Sequence, residues 1–82
     1  MTTTLLDLTG LKCPLPALRT RKALLRLSAG ERLEVHCTDP MAVIDIPAVV
    51  QQSGDLVESC ERRDDGIVFI IAKSNRAIAD RN

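Results

Sequence analysis

Residues Ile67 to Ala72 form an unbroken apolar run, mostly β-branched or aromatic, near the end of an 82-residue chain. A run without polar alternation has no face suited to water, so it reads as a strand in the interior of a sheet, with neighbours on both edges. It is far short of the roughly 20 residues that a membrane-spanning helix requires. A chain of this length has room for one core and therefore for one domain.

The remaining elements are arranged around that strand. Leu5 to Thr9 is short, partly alternating and closed by Gly10, which predicts a first strand. Leu15 to Ser28 is rich in helix formers and is stopped by Gly30. Arg32 to Thr38 alternates: Leu33, Val35 and Cys37 share one face, and Glu34, His36 and Thr38 share the other. Pro47 in a helix interior would cost about 3 kcal/mol. That conflict is removed if Asp45 is the N-cap and the second helix runs from Ile46 to Ser53, leaving Thr38 to Ile44 as a loop. Asp55 to Arg62 predicts a charged strand, and Asp64-Asp65-Gly66 a hairpin turn into the apolar run. Residues 1–73 form the expected domain, and Ser74 to Asn82 read as a loose tail.

The order is thus β-α-β-α-β-β. Right-handed crossovers place both helices on one face of the sheet, giving a two-layer α+β sandwich with one open face. With the first three strands parallel and the last antiparallel, Thr9 to Pro14, Thr38 to Ile44 and Arg62 to Gly66 meet at one edge. In such sheets function gathers at the carboxyl ends of the strands.

Composition removes several classes of function. Phe69 is the only aromatic residue and the formal net charge is zero, which counts against stacking on single-stranded nucleic acid and against general DNA binding. Direct nucleic-acid binding and membrane insertion are therefore not expected. Three cysteines, Cys13, Cys37 and Cys60, without a Cys-x-x-Cys pair, and a single histidine, His36, supply neither a disulfide framework nor a metal site. No secretion signal is visible, and the expected compartment is the reducing cytoplasm. No cofactor is expected.

The charge is balanced but segregated. Lys12 to Arg32 holds six basic residues against Glu31 alone, whereas Leu33 to Gly66 holds eight acidic residues against Arg62 and Arg63. Opposite poles of this kind orient a small domain against a charged partner, unless they are merely solvated faces.

The segment that carries chemistry is Gly10-Leu11-Lys12-Cys13-Pro14-Leu15-Pro16, at the handover from the first strand to the first helix. Two prolines stiffen a turn in which their missing N–H groups are not needed. Cys13 falls near the N-cap, with the amides of Leu15 and Ala17 free to face its sulfur. A free thiol has a pKa near 8.5, so only about 3% is thiolate at pH 7. The helix terminus and Lys12 are expected to lower that pKa and to favour a thiolate or a persulfide anion. The competing reading is a small buried hydrophobe. On this strand pattern His36 points to the open face, so a Cys–His hydrolase is unsupported, and a lone activated thiol suits group transfer between proteins.

The stretch Leu6 to Pro16, together with Arg21-Lys22, Asp39-Pro40-Met41-Ala42 and Asp45-Ile46-Pro47, resembles the TusA/SirA-like family, whose hallmark is Cys-Pro-x-Pro. The resemblance spans Leu5 to Lys73. Leu15 stands where that family often has an acidic residue. The resemblance implies a sheet of order 1-2-4-3. It also implies a sulfurtransferase of the carrier type, in which Cys13 takes persulfide sulfur from a cysteine desulfurase or a rhodanese-type donor. The sulfur then passes to an acceptor protein, as in 2-thiouridine synthesis on tRNA or other sulfur trafficking. The alternative is a thiol redox-regulatory module that carries no sulfane sulfur.

Arg19, Lys22 and Arg26, at i, i+3 and i+7, form a basic stripe suited to an acidic partner surface. Arg21 falls in the arc of Ala17, Leu18, Leu24 and Leu25, where it must snorkel or pair with a carboxylate such as Asp45. Asp39 should lie near Cys13, capping its loop or meeting an acceptor. Cys37 is expected in the core, and Cys60 sits on an edge strand with either face possible. The chain is expected to act as a monomer, although the open sheet face and the edge strand leave room for a dimer.

Overall fold

The computed structural model describes residues 3–74. Its elements are β1 (Thr3–Leu8), α1 (Leu15–Leu25), β2 (Arg32–Cys37), α2 (Ala42–Gln52), β3 (Leu56–Arg63) and β4 (Gly66–Ala72). They form one four-stranded sheet of order β1-β2-β4-β3. β1 and β2 are parallel, and β4 runs antiparallel to both β2 and β3. This is the expected α+β sandwich, with the apolar strand β4 in the interior and the charged β3 at an edge.

The alternation in β2 decides which side is covered. Leu33, Val35 and Cys37 pair with Ile71, Phe69 and Ile67, and all six are buried beneath the helices. α1 contributes Pro16, Thr20 and Leu24 to this layer, and α2 contributes Ala42, Ile46 and Val50. Both sets recur at i, i+4 and i+8, the spacing of one helix face. The arc expected on α1 is therefore corrected. Leu18 and Leu25 are exposed, and Thr20 takes the central buried position, its hydroxyl without a partner among the described residues.

Two helix boundaries also differ. α1 ends at Leu25 rather than Ser28, because the chain turns there and the Ser28 amide donates to the Glu31 side chain at 2.7 Å. α2 starts at Ala42, four residues earlier than expected, with Pro47 inside it. Asp39 rather than Asp45 begins it. The Asp39 carboxylate accepts the Met41 amide at 3.1 Å, and its carbonyl accepts the Ala42 amide at 3.0 Å. Pro40, whose carbonyl accepts the Val43 amide at 3.3 Å, lies in this lead-in turn, and Met41 is the N-cap. The buried stripe of Ala42, Ile46 and Val50 outweighs the hydrogen bond that Pro47 removes.

The chain closes on itself beyond β4. Asp55, whose side chain is buried, accepts the Ser74 amide at 2.9 Å and lies 3.6 Å from the Lys73 ammonium. Ser74 is therefore tied to the domain. The rest of the expected tail, 75–82, lies outside the described residues.

The β3–β4 turn approaches the end of β2 closely. A Cβ added at Gly66 would lie 2.5 Å from the Cys37 carbonyl oxygen, and its φ is +157°. Gly66→Ala is expected to cost about 1–3 kcal/mol, as overpacking against rigid backbone does. A urea titration checks this. The midpoint falls with an unchanged slope, and an unchanged midpoint would contradict the close approach.

Candidate functional site

β1 and β2 are parallel, so the loops that follow them leave the sheet at the same edge. Leu8 to Leu11 is a tight turn, closed by the Leu11 amide donating to the Leu8 carbonyl at 3.1 Å. Gly10 occupies its third position with φ 86°, a conformation that side chains disfavour. The Gly10 amide donates to Thr38 Oγ1 at 2.8 Å, joining this turn to the loop after β2.

Cys13 follows, held from two directions. Its amide donates to Asp39 Oδ2 at 2.6 Å. Its thiol donates to Asp45 Oδ2 at 3.1 Å. Asp45 reaches it because α2 begins early, which puts this residue in the helix's opening turns. The side chain of Cys13 is exposed.

This arrangement reverses the expected electrostatics. The Cys13 pKa lies above the ordinary thiol value, first because of the hydrogen bond to Asp45, then because of desolvation and the charges of Asp45 and Asp39. A carboxylate that accepts the S–H bond favours the protonated form. Cys13 is one residue outside the helix, because Pro14 is the N-cap. The Leu15 amide does not face the sulfur; it donates to the Lys12 carbonyl at 2.9 Å. Among the described hydrogen bonds, no backbone amide, that of Ala17 included, donates to Sγ. The resting state at neutral pH is a thiol.

The other expected residues divide into groups. Gly10, Lys12, Pro14, Leu15, Pro16 and Ala17 shape the turn and the first turn of α1, and of these only Pro16 is buried. Asp39 uses both carboxylate oxygens on main-chain amides, so it holds the loop. Arg21 does not pair with Asp45; it opens onto a cleft with Leu25, Gln52, Ser53 and Lys73. Arg19, Lys22 and Arg26 line a separate groove along β1. Cys37 is sealed in the core, and burial followed by the Asp39 charge pushes its thiol up to about 11. Cys60 is exposed, opposite Phe69 on β3. His36 is half-buried on the open face and bonded to Glu34 at 2.6 Å, with no part in the cysteine site.

Beyond Leu15, sequence reasoning missed the exposed apolar residues near the site. Leu15 and Leu18 on α1, and Met41 and Ile44 at the start of α2, are 42%, 56%, 47% and 62% exposed. Leu15 and Leu18 follow Cys13 in the first turns of α1, and Met41 and Ile44 are chain neighbours of Asp39 and Asp45, which hydrogen-bond to Cys13. The available signal was an excess of apolar residues over the three that each helix face could bury. A surface of large apolar side chains around a reactive group suits a protein partner.

A family model described as sulfurtransferase TusA matches residues 4–73. The chain belongs to the TusA family. The sulfur carrier protein TusA of Allochromatium vinosum is 44% identical over 71 residues, covering 84% of this chain and 91% of that protein. The crystal structure of a SirA-like protein from Desulfitobacterium hafniense superposes with a TM-score of 0.74 at 26% identity, over 92% of this chain and all of that one. No helix among the described residues is long and apolar enough to cross a membrane.

Proposed function

We propose that this TusA-family chain accepts the outer sulfur of a donor enzyme's persulfide on Cys13 and passes it to an acceptor protein. The observation that carries this reading is an exposed thiol on a braced turn, hydrogen-bonded at 3.1 Å to a carboxylate. The donor of this reading is a cysteine desulfurase or a rhodanese-type protein. The acceptor chain leads to 2-thiouridine or to another thiolated product. Leu15, Leu18, Met41 and Ile44 are the contact surface around the sulfur. The chemistry needs a free thiol, so its compartment is the reducing cytoplasm.

In the loading step the proton of the Cys13 thiol passes to Asp45. The sulfur attacks the outer sulfur of the donor persulfide, the donor S–S bond breaks, and the donor cysteine leaves as a thiolate. The product is a Cys13 persulfide, whose charge sits on a sulfur about 2.05 Å farther out. In the relay step a thiolate of the acceptor attacks that outer sulfur. Cys13 then leaves and takes its proton back from Asp45. One sulfane sulfur moves and no external oxidant is consumed. Because the raised pKa suppresses the free thiolate, Cys13 is quiet alone and reacts when a partner brings the persulfide to it.

The test is to incubate the protein with a cysteine desulfurase and free cysteine, remove the enzyme, and quantify sulfane sulfur by cyanolysis. Close to one sulfur per chain is expected. Repeated absence of sulfane sulfur with several active donors, while mixed disulfides form at Cys13, would instead support redox regulation.

A further inference from the structure

The two edges of the sheet are finished differently. β3 carries a bulge between Val57 and Ser59 and a charged sequence, both of which deter strand addition. Among the described residues β1, Thr3–Leu8, pairs with β2 on one side only, in continuous register and with Asp7 as its sole charge. Leu5 on this strand is 62% exposed. Among the described residues β1 thus leaves a row of main-chain donors and acceptors open and unguarded.

A groove of about 460 Å³ runs beside this edge, lined by Thr4 and Leu6 of β1, by Arg19, Lys22 and Ala23 of α1, and by Arg26 at the C-cap of α1. Its floor is apolar and its wall is cationic. Among the described residues none of Arg19, Lys22 and Arg26 forms an ion pair. The three cations rise along α1 in steps of about 4.5 and 6 Å. Alternate residues of an extended strand lie about 6.7 Å apart, within reach of these long side chains.

We propose that β1 and this groove bind an extended acidic segment of a partner protein, which adds as a fifth strand and sets Asp or Glu at alternate positions against Arg19, Lys22 and Arg26. The main-chain bonds supply affinity and the alternating carboxylates supply selection, as in strand addition elsewhere. Charge decides between occupants. A second copy of this chain, pairing edge to edge with its helices on the same side, would set two cationic stripes against each other. An acidic strand neutralises the stripe instead. This reading specifies a partner surface for the sulfur carrier proposed above, but binding here needs no sulfur on Cys13. Failure to bind and failure to load sulfur are therefore separate results.

The probe is the peptide acetyl-Glu-Val-Glu-Val-Glu-amide, with acetyl-Lys-Val-Lys-Val-Lys-amide as control, titrated into the whole protein and followed by amide NMR and hydrogen exchange. The acidic peptide is expected to shift signals of Thr3–Leu8 and the stripe, to slow exchange of β1 amides, and to weaken as salt is added. Reversal of the stripe (R19E, K22E and R26E together) is expected to weaken binding about tenfold or more. The neutral set R19Q, K22Q and R26Q gives the same sign should the reversed protein fold poorly. Equal binding of the two peptides, equal binding by the neutral variant, or no response in β1 would overturn the proposal. So would a dimer joined through β1 in the absence of peptide.

Discussion

Cys13→Ser is expected to abolish sulfur loading while leaving the fold intact, and Cys60→Ser is expected to load as the parent does. The asymmetry comes from surroundings rather than from exposure. Both thiols are open to solvent. Cys13 sits on a turn pinned by Gly10 to Thr38 and by its own amide to Asp39, with a proton acceptor 3.1 Å from its sulfur. Cys60 lies on an edge strand, with no carboxylate hydrogen-bonded to its thiol among the described residues. Cys37 is excluded on other grounds: it is only 1% exposed, and no donor persulfide can reach it. Replacing an exposed thiol by a hydroxyl removes little packing, so the thermal midpoint of Cys13→Ser should stay near that of the parent. The measurement is sulfane sulfur per chain in each variant after treatment with donor and cysteine. Loading retained by Cys13→Ser would remove the proposed site.

Asp45→Asn is expected to raise the rate at which a neutral reagent such as iodoacetamide alkylates Cys13, several-fold at pH 7. The sign follows from the cause of the shift. The Asp45 hydrogen bond is the largest contribution holding the Cys13 pKa above its ordinary value. Removing the carboxylate lowers that pKa. At pH 7, below the titration, the thiolate fraction and hence the rate rise together. Well above the titration both proteins are fully ionised and their rates converge. The whole pH–rate profile therefore moves to lower pH in the variant. Loading from a donor persulfide moves the other way, because the proton acceptor has been lost. Opposite changes in alkylation and in loading separate a proton-accepting role from mere crowding at the thiol. An alkylation rate in Asp45→Asn equal to or below that of the parent would contradict the electrostatic account.

The architecture was legible because its strongest signals are non-local in consequence but local in form. The alternation of Leu33, Val35 and Cys37 assigns the faces of β2, and the unbroken run from Ile67 places β4 in the interior. The Cys13 turn was legible from Gly10 and the two prolines. Its electrostatics were not, because they depend on where α2 begins. Asp39-Pro40 and Asp45-Ile46-Pro47 are both acceptable helix starts by local rules, and burial of Ala42 on the same stripe as Ile46 and Val50 decides for the first. That choice adds about one helical turn to α2, brings Asp45 to the cysteine, and turns an expected thiolate into a thiol. Arg21 illustrates the same limit. Its place in a nominally apolar arc was visible, but the arc itself is rotated, with Thr20 inside and Leu18 and Leu25 outside. The exposed rim of Leu15, Leu18, Met41 and Ile44 follows from that rotation and from the early start of α2. No window of sequence contains either.

Proteolysis of the donor-treated protein followed by peptide mass mapping addresses the carrier role most directly. The account predicts one added sulfur atom on the peptide that contains Cys13, removable by a reductant, with the peptides of Cys37 and Cys60 unchanged. A sulfur found on the Cys60 peptide, or a Cys13 peptide that stays at its native mass beside a turning-over donor, would contradict it.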